Sequence, residues 1–255
     1  MSLFSIERRK VIIDHARTSG RADVTELAKL LEVSTETVRR DLNVLEKEGL
    51  IRRVHGGAVP VERLGFESDL AMRSSRMTEE KGRVAQKAVE YLADAEAIYL
   101  DEGTIFRMVA DRLEPMRPLT VVTNSLDVAT SLAGRPNIEV IVLGGRVRAK
   151  TLGTADFWAV QMLETMVLDL AIIGANGISV ASGATVPDAS IAEIKSAALH
   201  HARRSILIAD HSKVGANSFI RFAGLSEFEM FITDDGLSAE HAADLTAGGV
   251  EFMLA

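Results

Sequence analysis

Cysteine is absent from all 255 residues, which removes disulfides, thiolate zinc sites and cysteine nucleophiles and fits a reducing, cytoplasmic setting. Long apolar runs are missing too. The longest, such as 138–143 and 170–174, are strand-sized and far short of the roughly 18 residues a membrane span needs. Charges interrupt the apolar stretch at the N-terminus and no small-residue cleavage site follows, so no secretory signal is expected. Neither Gly-x-Gly-x-x-Gly nor Gly-x-x-x-x-Gly-Lys occurs, so a dinucleotide or ATP site is unsupported. Repeats and low-complexity tracts are absent as well.

What is present fits a soluble globular chain of two domains, with 47% apolar and 25% charged residues. The net charge of −7 argues against a polyanionic partner, but its distribution does not. Residues 1–63 hold 12 Lys/Arg against 10 Asp/Glu, and the remainder 17 against 26. A mildly basic head on an acidic body is expected when only the head approaches nucleic acid.

Residues 1–59 read as a winged helix-turn-helix. A first helix is capped by Ser5 and runs to about residue 17, with Ile6, Val11 or Ile12, Ile13 and Ala16 inward and Gly20 beyond its end. A second starts near Thr25, with Leu27, Leu30 and Leu31 facing inward. Ser34 caps a third over 35–48, which stops at Gly49. A hairpin follows, 51–54 and 58–59, turning at His55-Gly56-Gly57. On the third helix Val38, Leu42 and Leu45 share the core face. Glu36, Arg40, Asn43 and Lys47 lie opposite, with Arg39 on the flank and Asp41 at the core edge, where it is expected to pair with an Arg. Arginine reads guanine bidentately, Ser34, Thr35 and the first-turn amides suit a phosphate, and Arg52, Arg53 and His55 add contacts from the wing. A charged helix face is also commonly just solvated, so angles alone leave both readings open.

Residues 60–77 read as a linker, and 78–255 as an α/β domain with a mostly parallel sheet. A helix from Thr78 places Val84, Ala88 and Leu92 on one face. Strands at 97–100, 120–123, 138–143, 170–174, 205–209 and 229–233 alternate with helices. Ligands in such folds bind beyond the strand C-termini. There the sequence gathers Asp101-Glu102-Gly103-Thr104, Thr123-Asn124-Ser125, Gly144-Gly145-Arg146, Gly174-Ala175-Asn176-Gly177 and Asp210-His211-Ser212-Lys213. Gly, Ser, Thr and Asn at helix starts offer amides and hydroxyls to a phosphate, and Arg146 and Lys213 offer charge. Each loop alone reads equally as a turn or cap; five at one edge point to a phosphate site.

The run VSTETVRRDLNVLEKEGLIRRVHGGA, 33–58, resembles the signature of the DeoR family of bacterial regulators in its Ser34-x-x-Thr37-Val38-Arg39-Arg40-Asp41-Leu42 core and its His-Gly-Gly wing. The body resembles the DeoR sensor domain along its length, in LDEGTIF, VVTNSLDVA, VLGGRV, IIGANGI and the stretch from Ile194-Lys195 to ADHSKVG. That domain is similar in fold to sugar-phosphate isomerases and aminosugar-phosphate deaminases. The resemblance implies a repressor of sugar uptake or catabolism genes, bound to double-stranded operator DNA as a homodimer or homotetramer and released by a phosphorylated sugar, with a fructose phosphate as the first candidate. It implies no cofactor and no catalytic residue. The expected DNA-facing residues are Thr25, Ser34, Thr35, Glu36, Thr37, Arg39, Arg40, Asn43, Arg52, Arg53 and His55. Carried over by position, the effector pocket comprises Asp101, Gly103, Thr104, Thr123, Asn124, Ser125, Gly144, Gly145, Lys195 and Lys213, joined by Arg146. Ile105 stands where a second Thr is common and Ile191 where a Glu is common, which leaves the identity of the effector open.

His200, His201 and His211 read as surface histidines. Neighbours on a helix diverge by about 100° and cannot chelate together, so no metal is expected. Phe157 and Trp158, with Met162 and Met166, read as core or subunit-interface packing. The competing function is a sugar-phosphate isomerase or deaminase with a DNA-binding appendage. It would need a tuned general base, for which Asp101, Glu102 and Asp210 are the nominees.

Overall fold

The computed structural model describes residues 5–19, 21–48, 50–54, 56–60, 77–92 and 94–255. The chain divides into two compact units with the boundary after Arg63. Of the expected linker, 61–76 lie outside the described residues, as do His55 and the helix-ending Gly20 and Gly49.

In the head, α1 (Ser5–Ser19) starts with Ser5 as a helical residue. The strand β1 (Ala22–Asp23), unforeseen from so short a segment, leads into α2 (Val24–Leu30). Asp23 caps α2, accepting the Thr25 amide at 2.8 Å and the Glu26 amide at 3.3 Å; these donors hold its carboxyl below the ordinary aspartate value. α2 begins at Val24 rather than Thr25, and its buried stripe is Val24, Leu27 and Leu31. The spacing i, i+3, i+7 leaves Leu30 off that stripe, 57% exposed instead of inward. Ser34 caps α3 (Thr35–Lys47) through the Thr37 amide. Val38, Leu42 and Leu45 are buried there, with Ile12, Ala16 and Ile51. Strands β2 (Ile51–Val54) and β3 (Gly57–Pro60) pair antiparallel around residues 55–56, and β1 adds to β3. Gly56 carries the positive φ of the turn, at 78°. Gly57 belongs to the strand, where a Cβ would run into the Ala22 carbonyl.

The body is built on seven parallel strands: β4 (Ala97–Leu100), β5 (Leu119–Thr123), β6 (Ile138–Val142), β9 (Leu168–Ile173), β12 (Ala202–Ile208), β14 (Met230–Thr233) and β15 (Phe252–Leu254), in the order β15-β14-β12-β9-β4-β5-β6. Both faces are covered, and side chains alternate between two cores. Ile98, Leu100, Leu170, Ile172, Ile206 and Ile208 pack beneath α4 (Thr78–Glu90), α5 (Thr104–Arg112) and α6 (Leu126–Leu132). Tyr99, Ala171, Ile173 and Leu207 pack beneath α7 (Phe157–Glu164) and α8 (Ala189–His200). The departures Ile105 and Ile191 are buried, one in each core. Short antiparallel pieces escaped the sequence reading: the ribbon β7 (Arg146–Arg148) with β8 (Gly153–Ala155), and the small sheet of β10 (Gly177–Ser179), β11 (Gly183–Val186) and β13 (Ile220–Ala223). α9 (Ala239–Ala247) follows β14. No helix among the described residues is long and apolar enough to cross a membrane.

Candidate functional site

Two surfaces carry the expected residues, one in each unit. In the head, α3 turns Thr35, Glu36, Arg39, Arg40, Asn43 and Lys47 outward. Glu36 lies 3.8 Å from Arg39 and 3.9 Å from Arg40, contacts worth little at such exposure. Ser34 and Thr37 share a hydroxyl contact of 2.9 Å at the helix start, and Thr25 of α2 is exposed. Asp41 is buried and pairs with Arg8 of α1 at 2.5 Å, so the expected arginine partner comes from a distant helix. In the wing Arg52 is exposed. Arg53 is instead committed to α3: its Nη1 donates to Asn43 Oδ1 at 2.6 Å, and its amide donates to Glu46 Oε1 at 2.8 Å.

In the body the chain steps outward from β4 through β5 to β6. It then crosses to β9 and steps the other way through β12, β14 and β15. The strand order therefore reverses between β4 and β9, the place where open parallel sheets form a ligand crevice at the strand C-termini. Asp101 stands there, completely buried. Its Oδ1 accepts the Glu102 amide at 2.8 Å and its Oδ2 accepts the Gly174 amide at 2.9 Å, which ties the two loops across the reversal. Lys195 of α8 closes an ion pair with the same carboxylate. The Tyr99 hydroxyl reaches Asn124 Oδ1 at 2.9 Å and Asp101 Oδ1 at 3.2 Å. Burial, then the charges of Asp101 and Glu102, push that phenol well above its ordinary value and keep it a donor.

Every buried acid at this edge is matched. Glu102 accepts Arg148 Nη1 and Thr151 Oγ1, both at 3.0 Å. A Cβ at Gly153 would strike that carboxylate, so the ribbon needs glycine there. Asp210 accepts the Ser212 amide and hydroxyl and faces Lys81 of α4 at 3.9 Å. Asp234 accepts the His211 amide at 2.7 Å and the His211 Nδ1–H at 2.6 Å. Burial alone raises the Asp234 carboxyl, but these donors and the Gly236 amide hold it below the ordinary value. His211, expected on the surface, is thus half-buried against an acid; His200 is exposed and His201 intermediate. Among the described residues no three His, Cys, Asp or Glu are grouped to hold a metal.

The remaining expected pocket residues divide by what occupies them. Thr123 Oγ1 accepts the Ser125 amide, Ser125 Oγ caps α6 at the Val128 amide, and Asn124 Nδ2 donates to the Thr154 carbonyl. These three build the loop. Gly103 precedes α5 with φ 122° and gives the helix no side-chain cap, and Thr104 Oγ1 is buried without a hydrogen-bond partner among the described residues. Gly144 and Gly145 (φ 130°) lead into β7, where Arg146 is exposed. Lys213 is half-buried in a 3₁₀ turn (His211–Lys213), and neither it nor Arg146 has a carboxylate partner among the described residues. Sequence reading missed Lys81, because a lysine on an amphipathic helix ordinarily reads as solvated. Phe157 and Trp158 are 60% and 66% exposed, which overturns the core option for them. A cavity of about 410 Å³, lined by Leu92, Asp94, Glu114 and Arg117 among others, opens at the starts of β4 and β5, away from these loops.

Two family descriptions match the chain: a DeoR-like helix-turn-helix domain over residues 8–63 and a DeoR C terminal sensor domain over 76–235. The HTH-type transcriptional regulator GlpR of Haloferax volcanii is 36% identical over 244 residues, 96% of this chain and 95% of that one. The glycerol-3-phosphate regulon repressor of Escherichia coli is 31% identical over 228 residues, 89% and 90% of the two chains. The HTH-type transcriptional repressor GlcR of Bacillus subtilis is 30% identical over 253 residues, 99% and 97%. Among solved structures, ribose 5-phosphate isomerase A of Methanocaldococcus jannaschii gives a TM-score of 0.40 at 17% identity, covering 54% of this chain and 55% of that one.

Proposed function

The chain belongs to the DeoR family of transcriptional regulators, and from that premise we propose that it represses a sugar-uptake or catabolism operon until a phosphorylated sugar occupies its body. The head is the DNA-reading part, with Arg40 and its neighbours on α3 in a major groove, and two copies of the chain gripping half-sites about one helical turn apart. The body is the sensor. The observation that carries this reading is the start of α5 at the sheet's reversal point: among the described residues no side chain caps it and Thr104 Oγ1 has no partner. An uncapped helix N-terminus with a spare hydroxyl is a ready phosphate seat, and Lys213 and Arg146 supply charge that no carboxylate among the described residues has claimed. The acids beside the seat do not repel an anion, since Lys195, Arg148 and Lys81 already offset Asp101, Glu102 and Asp210. The same pairing weighs against an isomerase or deaminase, which needs an acid left free to move protons.

Release has a physical route. Asp210 and Lys213 belong to one short turn, and Lys81 grips that turn from the start of α4, the first described helix after the head. Arg83, two residues along, bonds Asp235 at 2.5 Å. A phosphate drawn to Lys213 loads the turn that Lys81 of α4 faces. The ligand shifts operator affinity by its differential affinity for two arrangements of the body, about 1–3 kcal/mol of coupling. Footprinting of the protein on its own upstream DNA, with and without sugar phosphates, tests the reading. Protection that disappears with one sugar phosphate in the natural protein, and persists in Thr104→Ala and Lys213→Ala, is the expected result. Normal release from Lys213→Ala would refute the pocket.

A further inference from the structure

We infer that Asn43 and Arg53 form a specificity pair, in which the wing arginine sets the direction of the Asn43 amide so that it reads the keto group of a base. The inference rests on the DNA-reading role proposed for α3.

The geometry allows one orientation. A guanidinium only donates, so the Asn43 atom 2.6 Å from Arg53 Nη1 is the carbonyl oxygen, and the amide NH₂ points the other way. Arg53 is itself held in place: its amide donates to Glu46 Oε1 at 2.8 Å and its Nη1 lies 3.5 Å from the Arg39 carbonyl, one turn before Asn43. The strand β2 is therefore pinned along the flank of α3 formed by Arg39, Asn43 and Glu46. Asn43 sits where that flank meets the open face of Glu36, Arg40 and Lys47, with its oxygen toward the wing and its NH₂ toward the open face.

Free asparagine reads adenine with both ends, accepting from N6 and donating to N7. Here Arg53 holds the accepting end toward the wing, so the amide turns its NH₂ donors to the open face. In the major groove guanine and thymine present a keto oxygen, while adenine and cytosine present an amino group. A donor-only Asn43 favours guanine, with two acceptors, and thymine, with its keto oxygen, over adenine, whose N7 accepts but whose amino group goes unmatched, and over cytosine, which offers only a donor. Arg53 is then a positioning residue for base reading rather than the phosphate contact its place in a basic wing suggests.

Selection from a randomised DNA duplex pool, with the full chain, tests this directly. The natural protein is expected to enrich a motif with one position where keto bases exceed amino bases by about tenfold. Asn43→Ala flattens that position and leaves the others, and Asn43→Asp reverses it toward amino bases. Arg53→Ala frees the carbonyl and turns the position toward adenine, whereas Arg53→Lys, which keeps a donor, retains the keto preference. Because preference is a ratio within one sample, partial unfolding of a variant does not mimic these shifts. A keto preference that survives Arg53→Ala, or a motif unchanged in Asn43→Ala, would overturn the pair while leaving the regulator intact. Failure of the natural protein to enrich any motif would overturn the DNA-reading role and the pair with it.

Discussion

On α3 the side chain of Arg40 is 79% exposed, whereas in the body Lys195 is 6% exposed against a fully buried Asp101. The contrast runs through both units. The head leaves its polar face open and spends few contacts among its members, the Asn43–Arg53 bond apart. The body folds its polar groups into the sheet edge and pairs each buried acid there with a cation or a histidine. A surface that meets a polyanion needs charges free to exchange counterions for phosphates. A sensor of a small anion needs a crevice whose own charges are already balanced, leaving a small set of groups unclaimed. Removing a polar side chain should therefore cost the head recognition and cost the body stability.

The largest expected effect breaks that balance. Lys195→Met leaves Asp101 buried without its cation, and the body loses about 3–5 kcal/mol, read as a lowered melting transition of the body with the head's transition unmoved. A melting curve indistinguishable from that of the natural protein would mean that Asp101 does not depend on Lys195. Next comes Asp234. Its folded carboxyl sits below the ordinary value, so the stability it contributes is present above the unfolded-state value and is lost as pH falls through the folded one, below about 4. Asp234→Asn should destabilise the body at neutral pH by about 1.5–3 kcal/mol and flatten the acid limb of stability against pH. An unchanged acid limb in that variant would remove Asp234 from the account.

Arg40→Ala sharpens the comparison from the other side. Losing a base contact worth about 1–3 kcal/mol should reduce discrimination between operator and unrelated DNA by about 5–150-fold. Melting and effector affinity stay as they were; a fall in stability instead would mean that the open face is structural. The smallest effect is predicted for Leu30→Ser. A side chain 57% exposed should change head stability by no more than about 0.5 kcal/mol, where a buried leucine would cost several times that. A large loss would restore the inward reading.

Much of this was legible in the sequence wherever a period or a cap spoke for itself. The core stripe of α3, its Ser34 cap and the strand at 97–100 follow from spacing alone, and the family signature supplied the pairing of head and sensor. Leu30 misled because Val24, Leu27 and Leu31 already complete the stripe and Leu30 lies well off its centre at 100° per residue; Val24 went uncounted because Asp23 was overlooked as the cap. Strands of three residues such as β7 and β8 carry no period to detect. Thr123, Asn124 and Ser125 were rightly placed at the sheet edge, but the loop spends their hydrogen bonds on itself, which composition cannot reveal. Lys81 and Arg148 were invisible for a related reason: their partners Asp210 and Glu102 are 129 and 46 positions away, and no local pattern joins them.

The central claim is that an anion seated in the body loosens the head's hold on DNA. Fluorescence anisotropy of the protein on its own upstream DNA, at fixed salt, tests it with sugar phosphates each paired with its unphosphorylated sugar. Release by one phosphorylated sugar, starting with the fructose phosphates, and not by its free counterpart is the predicted result. Tight, sequence-specific binding that no sugar phosphate disturbs would contradict it.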